Sequence, residues 1–109
     1  MQPIPRQLLI HSAELYNVTT DRWQEETATL VASLSYVRIE PSSKVVLSKD
    51  NKEQRLSATL FYDCISSSPR NIAFTEGQKI DAFQKTYHVV SVDMLYDKLK
   101  LHHLEVGLV

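Results

Sequence analysis

The strongest constraint on this chain's fold is a two-residue alternation that begins at Leu56. Leu56, Ala58, Leu60, Tyr62 and Cys64 fall on one phase, with Ser57, Thr59 and Asp63 on the other. A period of two sorts side chains onto opposite faces of an extended strand, and a helix has no use for it. No segment keeps an i, i+3, i+4, i+7 apolar stripe over three turns. Runs of β-branched and aromatic residues instead recur between polar breaks, the mark of strands joined by turns. Leu8 to Tyr16 reads as a first strand and Thr27 to Glu40 as a long second one. Within the second, Ala28, Leu30, Ala32 and Leu34 hold one phase, which moves after Tyr36 to Val37 and Ile39. A one-residue change of phase predicts a β-bulge or a sharp bend.

Further on, Lys79 to Phe83 and Thr86 to Leu95 read as a hairpin, with Val90, Val92 and Met94 on one face. Asp97-Lys98 is a turn, and Leu101 to Val109 a last strand with Leu104, Val106 and Leu108 inward. The only helix candidate is a turn or two near 44–54. The expectation is an all-β fold: one small β-barrel or sandwich domain over 1–109, with a long polar loop and at most a short helix. A chain of 109 residues, 43% of them apolar, suffices for one such core and not for two.

A net charge of −1 argues against a dedicated nucleic-acid binder, which normally carries a basic excess. A lone cysteine, Cys64, leaves no internal disulfide and fits a reducing compartment. Leu8-Leu9-Ile10, after a start with two prolines, is too short for a signal peptide or a membrane span. The expectation is a soluble protein made in a cytoplasm.

No reactive centre emerges. Neighbours on a strand face opposite ways, so His102 and His103 could share an ion only across a bulge; His11 and His88 lie elsewhere in the chain. No metal and no cofactor are expected. Cys64 lies in the apolar phase of its strand, as a core residue would. Ser66, Ser67 and Ser68 lack a nucleophile elbow. The carboxylates Asp63, Glu76, Asp81, Asp93, Asp97 and Glu105 are scattered, and Gly77 and Gly107 form no phosphate loop. The chain is not expected to be an enzyme or to take a small-molecule substrate.

The most informative segment is 42–55. Lys44, Lys49, Lys52 and Arg55 face only Asp50 and Glu53, a formal +2 on a chain of −1. Connections this long tend to be functional. Doubled back on itself the segment could project about 25 Å, at about 3.3 Å per residue. In a ring of identical subunits such projections would gather positive charge around the axis. Trp23, between Asp21-Arg22 and Glu25-Glu26, either folds back onto the core or anchors a partner.

Several segments, in order, resemble the minor capsid proteins of long-tailed phages of Gram-positive bacteria, themselves related to head-closure, or stopper, proteins. They are Pro5-x-x-Leu8-Leu9-Ile10-His11, Trp23 ahead of the long strand, Val37-Arg38-Ile39-Glu40-Pro41-Ser42 and Leu60-Phe61-Tyr62-Asp63. Then come Glu76-Gly77-Gln78-Lys79-Ile80, Tyr87-x-Val89-Val90 and His102-His103-Leu104-Glu105-Val106. Order, spacing and length together make the match specific. The resemblance implies a virion protein of the head–tail connector, assembled in the host cytoplasm as a homo-oligomeric ring. It would sit against the portal or adaptor protein and the tail proteins, with packaged double-stranded DNA in its channel and no membrane. Segment 42–55 would project into that channel.

One departure stands out. This chain has Asp81-Ala82-Phe83-Gln84 where the family tends to show an apolar pair and a glycine. Gln84 at the glycine position predicts a longer or different loop, and Asp81 puts a charge where a core residue is expected. Two other roles compete. One is a tail-completion or terminator protein. The other is an oligonucleotide-binding β-barrel, for which Tyr62, Tyr87 and Tyr96 could stack bases, although Lys and Arg do not concentrate around them.

Overall fold

A computed structural model describes residues 2–47 and 50–109. A single 3-10 turn, Arg6–Leu8, precedes eight strands: β1 His11–Thr20, β2 Glu26–Pro41, β3 Val45–Leu47, β4 Glu53–Arg55, β5 Ala58–Asp63, β6 Lys79–Ala82, β7 Lys85–Asp97 and β8 Lys100–Leu108. Six of them close an antiparallel barrel in the order β1-β2-β5-β8-β7-β6, and β3 and β4 pair as a separate ribbon. The expected all-β fold is what forms. Closure leaves no sheet edge through the body of the barrel. Its interior is filled by Leu15, Leu34, Val37, Leu60, Tyr62, Ile80, Val89, Val106 and Leu108.

The change of phase in β2 is a bulge. His11 pairs with Val37 and Ser12 with Ser35, so Tyr36 is the extra residue, and its φ is +57°. That conformation costs a β-carbon-bearing residue about 1–2 kcal/mol. It returns Val37 and Ile39 to the core after Leu34 has already pointed in. A second bulge, at Val31, lets Tyr16 face Leu30 while Leu15 faces Ala32. Beyond it the outer parts of β1 and β2 leave the barrel as a two-stranded arm.

Three local expectations are corrected by register. β1 begins at His11: Leu8, Leu9 and Ile10 lie in the 3-10 turn and its exit, with only Leu9 buried. In β7 a shift between Val89 and Ser91 turns Val89 inward, while Val90 and Val92 are half-buried and Met94 is exposed. The β6–β7 connection keeps a two-residue loop, because Ala82 pairs with Lys85. Phe83 and Gln84 both take positive φ, +53° and +60°, the backbone of a type I′ turn without its usual glycine. His11 stacks edge-to-face on the Phe83 ring at 4.8 Å. Ile80 and Ala82 are buried, and Asp81 lies on the other phase, its carboxylate accepting from the Thr86 hydroxyl at 2.9 Å.

Two poles follow from the ladders. Val37, Tyr62, Leu104 and Met94 pair in succession across one level of the wall. Above it lie the β1–β2 arm and the β7–β8 turn. Below it lie the β3–β4 ribbon, the β6–β7 turn and Val109. The arm accounts for the long axis of a molecule measuring 47 × 28 × 26 Å.

Candidate interaction surfaces

At the upper pole the arm ends in a loop built by one carboxylate. Asp21 Oδ1 accepts from the backbone N–H of Trp23 at 2.8 Å and of Glu25 at 2.9 Å. The Gln24 N–H donates to the Asp21 carbonyl, and the Asp21 N–H to the Glu25 carbonyl. Asp and Asn suit such turns because their side chains can replace backbone acceptors. The loop presents Trp23, 73% exposed, with the Arg22 guanidinium 5.2 Å from its ring centre. Of the two outcomes open to Trp23, folding onto the core is the one that does not occur. Every residue from Thr19 to Val31 is exposed.

The β7–β8 turn at the same pole carries a second apolar group. Leu99 is 96% exposed and Tyr96 59%, with Met94 beside them. Lys98, at φ +57°, turns the chain. In the closed order of strands, β7 and β8 lie across the barrel from β1 and β2, separated from them by β5 on one side and β6 on the other.

At the lower pole, 42–55 is a hairpin. Val45, Val46 and Leu47 pair with Arg55, Gln54 and Glu53. Ser42 and Leu56 tie its root through Ser42 N–H to the Ser57 carbonyl and Leu56 N–H to the Lys44 carbonyl. Lys44 is exposed, with its Nζ 3.9 Å from Asp93 of β7. Arg55 is exposed and donates to the Ser43 carbonyl at 2.9 Å. Lys52 is exposed with Asp50 and Asn51 near the tip, and Lys49 lies outside the described residues. Lys44 and Val46 share a crevice with Ser91, Asp93 and Glu105, so the ribbon's root lies against β7 and β8. Its paired part spans about 10 Å at about 3.3 Å per residue, well short of a fully extended doubled chain.

The N-terminal segment forms a strap that the sequence did not reveal. Ile4 N–H donates to Asp63 Oδ2 at 2.8 Å, and the N–H groups of Ile65 and Ser66 reach Asp63 Oδ1. Burial alone would raise the Asp63 pKa. The three N–H groups and nearby His102 outweigh burial and hold it below its usual value. Arg6 donates to the Ser66 carbonyl and stacks over Tyr36 at 4.2 Å.

His102 and His103 turn out to meet. Leu95 pairs with His103 and Tyr96 with Leu101, so His102 is a bulge residue, the one geometry that lets strand neighbours converge. Their Nδ1 atoms are 2.7 Å apart. His102 Nε2 reaches the Gln2 carbonyl at 2.7 Å and His103 Nε2 reaches Glu105 at 3.0 Å. The pair closes the strap over β8. Among the described residues no three His, Cys, Asp or Glu side chains are grouped to hold a metal ion.

Stacking of bases on a sheet face finds little support. Tyr62 is buried, its hydroxyl donating to the Pro69 carbonyl, Tyr87 is half-buried and Tyr96 sits at the β7 tip. Cys64 is half-buried, and burial with the Asp63 carboxylate pushes its thiol pKa up, away from the reactive thiolate. No helix among the described residues is long and apolar enough to cross a membrane.

The barrel presents its most exposed apolar side chains, Trp23 and Leu99, on hairpin tips. The family model described as minor capsid protein matches residues 5–108, and the chain belongs to that family: it is a structural protein of a virion. Comparison with curated proteins and with solved structures gave no match.

Proposed function

We propose that the protein is a head–tail connector component, a ring that closes or adapts the portal channel, retains packaged DNA and receives the tail. The observation that carries this reading is the polarity of the barrel, with the basic hairpin at one pole, where Leu47 and Phe83 are also exposed, and the Trp23 and Leu99 tips at the other. In a ring the β3–β4 hairpins face the channel, and Lys44, Lys52 and Arg55 line it with modest positive charge. Such a lining obstructs DNA without the many phosphate contacts that make binding tight and strongly salt-dependent. The remaining surface meets the portal or adaptor above, the tail proteins below and copies of itself, and the role requires no catalysis.

The test is to delete residues 44–54, assemble heads and measure genome retention and tail attachment. Heads that incorporate the variant and leak DNA support the stopper reading. Heads that keep their DNA and fail to join tails would point to an adaptor or tail-terminator role. Heads that keep their DNA and join tails would remove the hairpin from the mechanism.

A further inference from the structure

Three features of the upper pole belong together. The arm is a two-stranded ribbon whose residues from Thr19 to Val31 are all exposed, and such a ribbon is marginal in water without a third strand or a packing partner. Across the barrel, the β7–β8 turn exposes Leu99, and the end of β7 leading into it exposes Tyr96. The two tips also differ in sign: with Glu26 paired to Lys79 of its own barrel at 3.1 Å, the arm loop carries Asp21 and Glu25 against Arg22, a formal −1, while the β7–β8 turn carries Lys98 and Lys100 against Asp97, a formal +1.

We infer that the β1–β2 arm of one copy clasps the β7–β8 turn of the next, Trp23 packing beside Leu99 and Glu25 facing Lys98. The inference rests on the ring reading and names the contact that would build the ring. Ring closure needs two different patches on opposite flanks of a subunit, at matching height and complementary to each other. A contact between patches at unequal height would climb into a helix. Strand order and register place the arm and the β7–β8 turn at one pole and on opposite flanks, and their tips carry opposite net charge. A tryptophan anchor inside a charged rim is also the usual composition of a contact that carries binding energy.

Disulfide trapping tests the contact in the full-length chain, with Cys64→Ser removing the native thiol. Arg22→Cys chains and Lys100→Cys chains, which keep Trp23 and Leu99, are prepared separately, then mixed and oxidised, both free at high concentration and within assembled heads. The expected result is a covalent dimer in the mixture and none in either variant alone. A dimer from Arg22→Cys alone would mean an arm-to-arm contact and would overturn the inference, as would the absence of cross-links in heads that contain the protein. Charge reversal gives an independent reading: Glu25→Lys should abolish assembly, and Lys98→Glu should restore it. Failure of the second change to rescue the first also counts against the contact. The ring reading is scored separately, by tail attachment. Heads that join tails without cross-links sink the clasp alone, whereas cross-linked rings absent from the head vertex keep the clasp and sink the connector role.

Discussion

Two hairpins leave the barrel, and they meet opposite fates. The β3–β4 ribbon is short and basic, and its root folds back onto β7 and β8 through Val46 and the Lys44–Asp93 pair. The β1–β2 arm is long, acidic at its tip and exposed throughout. One hairpin is seated on its own barrel at its root; the other is tied to its barrel by Glu26 with Lys79 at 3.1 Å and carries the largest exposed aromatic of the chain on a tip that packs on nothing. The lesson is that protrusion alone does not mark an assembly element. An unseated apolar tip does, because burying it elsewhere gains roughly 25 cal/mol for each Å² of apolar surface removed from water.

The N-terminal strap is a third projecting piece, seated like the ribbon, and its anchor should show the largest effect. Asp63→Ala leaves the N–H groups of Ile4, Ile65 and Ser66 without their acceptor. Losing charge-assisted bonds at a buried site should cost about 3 kcal/mol, read by denaturant unfolding, with exchange of the Ile4 amide accelerated. The pH dependence has a definite sign. Because the folded-state pKa of Asp63 lies below 3.8, its contribution is complete above that value and disappears as pH falls through the lowered one. Asp63→Asn should flatten that acid limb; an unchanged limb would place the acid sensitivity elsewhere.

Gly107→Ala sharpens the comparison from the ribbon's side. An added Cβ would lie 2.2 Å from Ser91 Oγ and 2.9 Å from Leu56 Cδ2, beneath the root of the β3–β4 ribbon. Overpacking there should cost about 1–3 kcal/mol and perturb amide shifts of β4 while leaving the arm's unchanged. A smaller effect is expected of Lys44→Ala, since its ion pair is exposed on both sides. About 0–1 kcal/mol is the expected loss, and it should vanish in high salt. Smallest is Trp23→Ala, which should alter the thermal stability of the dissociated chain by less than about 0.5 kcal/mol while removing assembly. A large stability loss in that variant would show that Trp23 is seated after all and would erase the contrast between the hairpins.

How far these features were legible depends on whether their cause is local. The β5 alternation, the inward face of β8 and the bulge at Tyr36 all appear in the order of residues, because side-chain phase along a strand is a property of consecutive positions. The meeting of His102 and His103 does not appear there: it follows from the register of β7 against β8. Nor does the tight turn at Phe83-Gln84, where the pairing of Ala82 with Lys85 overrides a local preference for glycine. The hairpin inside 42–55 was also hidden, since an apolar run of only three residues, Val45 to Leu47, signals a strand only once Glu53 to Arg55 lie beside it.

By itself, the order of residues settled that the chain would be built from strands, where the longest would break phase, and that one tryptophan would stand in polar company. Period and composition are written residue by residue, and water reads them without further instruction. Tertiary structure alone decided which strands adjoin, and therefore that the arm and the β7–β8 turn share a pole on opposite flanks while the basic hairpin occupies the other. Those relations come from closing six strands into a barrel, a property of pairs distant in sequence that no single segment contains.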